Sequence, residues 1–384
     1  MAIDIKNLVQ LIQKKEHAVT SSTSVEDMIN ILKAAQKAEG SLIRSYDNVD
    51  DLPDAATTNE RIAYLSDTRT LRFNNGTWDN PLLGAAAVAK EFYQGTISGY
   101  TLSGSHPTSF NTIDKYPFSA DGDATDVGDL TLTTKTGGAA QGSSTHGYHS
   151  GGTTPTATNV IDKFPFAVDE NATDVGDLTA IKYAQSGQSS EVSGYNSGGF
   201  SPPNINVIDK FPFSVDGNAT DVGDLTDPRY YASGQNSTTS GYTSGGRNPT
   251  YVNIIDKFPF AVDANATDVG DITIAKIGMA GQSSDISGYI SAGREPLNIA
   301  LDVIEKFSFT SDGNSSDVGD LTIGGRYTSG QSSNVSGYTS GRLDPASPGS
   351  PLDTIDKFPF STDGNATDVG NLSLGRSFNT GTQV

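Results

Sequence analysis

The stretch "IDKFPFSVDGNATDVGDLT", residues 208–226, decides how this chain is read, because the chain writes it six times. Near-copies begin at Ile113, Ile161, Ile208, Ile255, Ile304 and Ile355, at steps of 48, 47, 47, 49 and 51 residues. A period of this length marks a repeat architecture. Each unit is too small to bury its own apolar face and stacks on its neighbours instead.

The unit reads as four strands. "NIIDKFPF" (253–260) and "ATDVGDLT" (219–226) carry the bulky apolar residues, and the DGNAT segment between such strands supplies turn conformations. Pro117, Pro165, Pro212, Pro259 and Pro359 stand where the third strand ends, a place where a missing N–H costs little; Ser308 replaces Pro in the fifth copy. Upstream lie two Ser/Gly-rich segments, such as "YYASGQNST" (230–238) and "SGYTSGG" (240–246). Gly and Ser are weak strand formers, so their use needs a reason. Where sheets radiate from an axis, the innermost strands are crowded and take small residues. The outer strands splay apart, and large residues fill the gaps. This taper predicts a six-bladed β-propeller.

The chain ends predict that the ring closes. The first copy enters at the second strand (Thr96-Ile97-Ser98-Gly99-Tyr100), and the last stops at "RSFNTGTQV", with Gly381 matching Gly234. Pairing residues 377–382 with 96–101 completes blade one and leaves no open edge.

Bulk properties narrow the function. With 384 residues and no Cys, there is neither a disulfide framework nor a thiolate metal site. No signal peptide or membrane span is evident; the segment Ile3 to Ile12 is interrupted by Asp4, Lys6, Asn7 and Gln10. The net charge is −20, and residues 91–384 hold 33 acidic against 15 basic residues. Evenly spread acidity repels phosphate backbones, so nucleic acid is a poor partner.

The chain divides into three regions. Residues 1–46 are expected to form a short helical hairpin. Its first stripe is Ile5, Leu8, Val9, Leu11 and Ile12; its second, after the N-cap Ser24, is Val25, Met28, Ile29, Leu32 and Ala35. Helices this short are marginal alone, so an attachment or oligomerisation role competes with a simple hairpin. Residues 47–91 are expected to hold a small β module and connector. It turns at Ser66–Arg69 and Asn75-Gly76, and Trp78 is its expected core residue. Residues 92–384 are the propeller.

The order of a basic residue, a Ser/Gly strand, a "GY.SGG" strand, an apolar strand and a polar turn resembles the kelch-type propeller repeat. The basic residues are Lys135, Lys182, Arg229, Lys276, Arg326 and Arg376. The Gly doublet is kept at Gly151-Gly152, Gly198-Gly199 and Gly245-Gly246, and degraded at Ser103-Gly104, Ala292-Gly293 and Ser340-Gly341. The "IDKFPF…DATDVGDLT" repeat is similar to repeat proteins of marine bacteriophages, cyanophages in particular. "IDIKNLVQLIQKKEHAVTSSTSVEDMINILKAAQKA" resembles the leader of phage fibre proteins, and "DNVDDLPDAATTNERIAYLSDTRTLRFNNGTWDNPL" resembles a β module of virion proteins. These likenesses imply a virion appendage, such as a tail fibre, with a surface-exposed propeller for host attachment. By analogy it would be a homo-oligomer, with a trimer expected, bound to other virion proteins through the N-terminal region. A capsid or tail decoration without receptor is the alternative, and a glycan-active enzyme a third.

Candidate sites follow from the repeat. Asp216, Asn218, Asp221 and Asp224, with their repeat equivalents, have an oxygen-ligand spacing compatible with calcium. The pattern lacks the terminal bidentate Glu of an EF-hand, and side chains capping their own turn explain it as well. His146 and His149 sit close in one copy only. The tyrosines Tyr100, Tyr148, Tyr195, Tyr242, Tyr289 and Tyr338 recur at one position and are expected to pack. No catalytic nucleophile–base pair stands out, and no cofactor is expected. The segments after the Gly doublet vary most, as in "RNPTYVN" and "REPLNIALD". Variable loops on a rigid scaffold are where recognition sits. The expected contacts to a host glycan or protein are Arg247, Asn248 and Tyr251, with Arg294 and Glu295 as a charged pair.

Overall fold

The computed structural model describes residues 44–46, 62–65, 70–74, 78–79, 94–132, 136–344 and 350–384. The chain separates into two compact units, Met1–Lys90 and Glu91–Val384. In the first, Arg44–Tyr46, Ile62–Leu65, Thr70–Asn74 and Trp78–Asp79 form one four-stranded sheet in that order. The last three are antiparallel, whereas Arg44–Tyr46 runs parallel to Ile62–Leu65 and precedes the expected start of the module. The helical hairpin and the surroundings of Trp78 lie outside the described residues.

The second unit is a six-bladed β-propeller. Each blade is a four-stranded antiparallel sheet, as in blade 4: Ser233–Asn236, Ser240–Ser244, Ile254–Pro259 and Thr267–Asp271. Blade 1 is built from both ends of the ring. Thr380–Gln383 is its inner strand and pairs antiparallel with Ser98–Ser105, with Gly381 opposite Thr101. Pairing of the two ends therefore closes the ring.

Small residues face the axis for a steric reason. A Cβ on Gly234 would lie 2.2 Å from the Gly187 carbonyl oxygen of the neighbouring inner strand. Glutamines on the same strands tie the blades together: Gln188 Nε2 donates to the Tyr242 carbonyl at 2.9 Å, and Gln282 Nε2 to that of Tyr338.

The core lies between blades. The buried Tyr195 packs with Phe258 and Phe260 of the next blade, ring centroids 5.5 and 4.9 Å away. The other recurring tyrosines do the same, and each also meets an Ile–Leu pair of its own blade, or Ile255 and Ile272 in blade 4. At the seam Tyr116 replaces Phe, and its hydroxyl donates to Gln331 Oε1 at 2.9 Å.

Two sets of ion pairs join the blades. On the outside, Lys115, Lys163, Lys210, Lys257, Lys306 and Lys357 each reach an Asp in the next blade's DGNAT-type turn at 2.7–2.9 Å. Inside, Lys182–Asp209, Arg229–Asp256, Lys276–Glu305 and Arg376–Asp114 are fully buried pairs across junctions. Arg326, the basic residue of the fifth copy, makes no such pair. There Arg342 pairs with Asp356 at 2.7 Å instead. Register explains the swap. Ser340 pairs with Ile355 as Ser244 pairs with Ile255, so the doublet position in copy six is Gly341-Arg342 and not Ser340-Gly341. An arginine thus replaces the second glycine and fills the carboxylate site from the other side, leaving Arg326 free to lie at the surface.

Candidate functional site

The segments after the Gly doublets lie at one end of the ring, beside the connectors between blades. Each connector pairs with the start of its blade's loop: Tyr183 with Phe200, Tyr230 with Arg247, Ile277 with Arg294, and Arg326 with Leu343. The next residue in each connector turns inward with positive φ. These residues are Gly137, Ala184, Tyr231, Gly278, Tyr327 and Phe378, with φ between 56° and 68°.

They form a closed annulus. The N–H of Ala184 donates to the Gly137 carbonyl, Tyr231 to Ala184, Gly278 to Tyr231, Tyr327 to Gly278, Phe378 to Tyr327 and Gly137 to Phe378, all at 2.6–3.0 Å. Left-handed backbone costs a non-glycine residue about 1–2 kcal/mol. Here it lets every blade give one donor and one acceptor to the ring. Bulky side chains in this conformation are the kind of strain that clusters at functional sites.

Three annulus positions are aromatic. Tyr327 and Phe378 stack with centroids 4.0 Å apart, and Tyr231 tilts against both at 5.1 and 6.2 Å. The other three are Gly or Ala, so the mouth is filled on one side only, around a cavity of about 120 Å³. Burial raises the phenol pKa values of both Tyr231 and Tyr327.

Arginines continue the aromatic side outward. Arg247–Asn248 and Thr250–Tyr251 form a small hairpin with Arg247 opposite Tyr251. The Arg247 guanidinium lies 5.7 Å from the Tyr251 ring centroid and that of Arg294 5.8 Å away. Arg294 Nη2 donates to the Tyr251 hydroxyl at 2.6 Å, and its Nη1 to Asn298 Oδ1 at 2.8 Å. Arg326 Nη1 reaches the same Asn298 oxygen at 3.4 Å, with its guanidinium over Tyr327. A continuous arc therefore runs Arg247, Tyr251, Arg294, Asn298, Arg326, Tyr327.

The structure brings together Arg247, Tyr251 and Arg294 of the expected contacts. Asn248 turns toward blade 3, where its Oδ1 accepts from Asn204 Nδ2 at 3.0 Å. Arg294 is engaged by Tyr251 and Asn298, while Glu295 joins a local turn through its backbone. Sequence reasoning missed Tyr231, Arg326, Tyr327 and Phe378. One signal was available: they fall in two adjacent columns whose side chains vary beside an otherwise uniform repeat.

Three of the four calcium candidates have other partners for their side chains. Asp216 binds Lys163, Asn218 Oδ1 accepts the Asp177 N–H of the preceding blade, and Asp221 Oδ1 accepts the N–H of Gly223. Their oxygens thus stabilise turns and blade junctions, and no group of three acidic or His side chains among the described residues is placed to hold a metal. His146 and His149, three apart on one strand, point to opposite faces. His149 is buried near Ser103.

The opposite mouth is polar, lined by Asn236, Ser283, Ser332 and Gln383. Residues near the start of the second unit pack here. Gln94 Nε2 donates to the Ser283 carbonyl, and the Gly95 N–H to that of Ser332. Neither a protein-family model nor a curated protein matches the chain.

Proposed function

We propose that this chain is a bacteriophage virion appendage protein whose propeller recognises the host surface. The observation that carries the reading is the convergence of variable loops, aromatic rings and arginines on one face, above a rigid hydrogen-bonded annulus. Aromatic and Arg side chains are the residues that dominate recognition energetics. The phage-like leader and repeat supply the setting. In it, the N-terminal region binds other virion proteins and assembles the chain as a homo-oligomer, for which a trimer is expected.

Labelled full-length chain is expected to adsorb to at least one strain in a panel of marine bacteria and cyanobacteria, and to block phage adsorption there. Replacing Arg247 and Tyr251 together with Ala should weaken adsorption at least tenfold, with thermal stability nearly unchanged. A protein that binds no cells, and whose loss leaves infection intact, is a decoration instead.

A further inference from the structure

The cations of the described ring fall into three groups. The six outer-junction lysines each bind an Asp, and five buried Lys and Arg side chains each bind a carboxylate. Three arginines remain: Arg247, Arg294 and Arg326. None has a carboxylate partner among the described residues, and all three lie on one arc. On a chain of net charge −20, where acids outnumber bases 45 to 25, unpaired arginines would be expected to find an Asp or Glu. Grouping them without one costs mutual repulsion, and a bound anion would offset it.

We propose that this arc is an anion subsite and that the ligand is an acidic polysaccharide. Its carboxylate or sulfate groups dock on Arg247 and Arg326, with the Arg294 guanidinium adding charge between them, and its sugar rings lie against Tyr231, Tyr327 and Phe378. The inference rests on the recognition role proposed above and names the ligand class. The donor inventory fits. Both terminal nitrogens of Arg247 and Nη2 of Arg326 make no hydrogen bond among the described residues, so Arg247 keeps a whole donor fork and Arg326 one further donor. A guanidinium fork matches a planar carboxylate or a sulfate in a way that an ammonium does not. Tyr251 is a positioning residue, fixing Arg247 by cross-strand contact and Arg294 by its hydroxyl. A peptide adding as a β-strand is disfavoured, because the arc is built from loop and connector residues and none of them lies on an inner or outer strand of a blade.

The test is calorimetric titration of the full-length chain with three probes: alginate oligomers for carboxylate, sulfated galactan oligomers for sulfate, and neutral dextran oligomers. One acidic set is expected to bind at least tenfold more tightly than dextran, and the two acidic arms distinguish the group. Arg247→Gln with Arg294→Gln should weaken that binding at least tenfold at an unchanged unfolding midpoint. Arg326→Lys keeps the charge but not the fork and should give a partial loss, which serves as the readout if the double variant misfolds. Equal or tighter binding to dextran, or acidic binding indifferent to these substitutions, overturns the inference. So does cell adsorption that is abolished by protease but survives periodate oxidation of surface glycans. If cells are bound with no acidic preference, the inference falls and the recognition role stands; if no cell is bound, both fall.

Discussion

Asn371 and Asp123 meet across the seam of the ring with their side-chain types exchanged. The Asn371 N–H donates to Asp123 Oδ1 at 2.9 Å, and its Nδ2 approaches the same oxygen at 3.2 Å. At the other five junctions the N–H belongs to an Asp and the acceptor to an Asn, as in Asp224 with Asn265. Every junction therefore holds one carboxylate and one amide. The exchange predicts a thermodynamic cycle. Asn371→Asp alone sets two carboxylates face to face and should cost about 0.5–1 kcal/mol, screened by salt. Adding Asp123→Asn should restore the loss, read from urea unfolding as a coupling energy. Additive effects of the two substitutions would show that the exchange carries no energy.

Closure makes a larger demand. Removing residues 378–384 deletes the inner strand of blade 1 but keeps Arg376, so Asp114 stays paired. Exposed strand edges and a lost barrier around the axis should sharply lower the calorimetric midpoint or drive aggregation. A truncated chain that melts like the full one would rule out a load on this pairing.

The two ion-pair sets should respond very differently to alanine. Arg342→Ala leaves Asp356 buried without its cation, which costs about 3–5 kcal/mol. Lys210→Ala breaks a bridge whose Asp263 is about half exposed, at 57%, and should cost within about 1 kcal/mol. Equal losses in chemical denaturation would contradict the burial argument.

Gly176 tests how closely the blades approach. A Cβ there would lie 2.3 Å from the Gly217 carbonyl oxygen, in the backbone of the next blade's turn. Backbone cannot move aside as a side-chain tip can, so Gly176→Ala should cost about 1–3 kcal/mol. Gly217, with open space around its own Cβ position, should accept Ala with little change.

Stability should fall on the alkaline side. Burial holds Tyr116 well above the ordinary tyrosine value of 10.0 and pushes Tyr148 up to about 12. Hydrogen bonds donated to Asp263 and Asp312 raise Lys210 and Lys257. In each case the folded state keeps a proton that the unfolded chain releases first. The stabilisation is thus complete below about pH 10 and is lost as pH climbs through the folded values. Melting midpoints should decline from about pH 10 upward. A midpoint that stays level between about pH 10 and 12 would count against it.

The propeller and its closure were legible in the sequence, and the reason is physical. A repeat states its strand, turn and packing rules six times, so the Gly-to-Phe taper along each copy is unambiguous, and a leftover first strand at the end has one place to pair. The site was legible only in part. Variable loops pointed to Arg247, Tyr251 and Arg294, but the sequence could not say which of them would touch. Tyr231, Tyr327 and Phe378 stand up to 147 residues apart and meet only because an annulus of left-handed residues turns them toward one axis. Likewise Arg326 reads as one more copy of Arg229 until register shows Arg342 in the carboxylate site. Spacing along the chain fixes what each blade contains; which side chain fills a gap between two blades depends on reach and volume across the junction, and only the closed ring sets those.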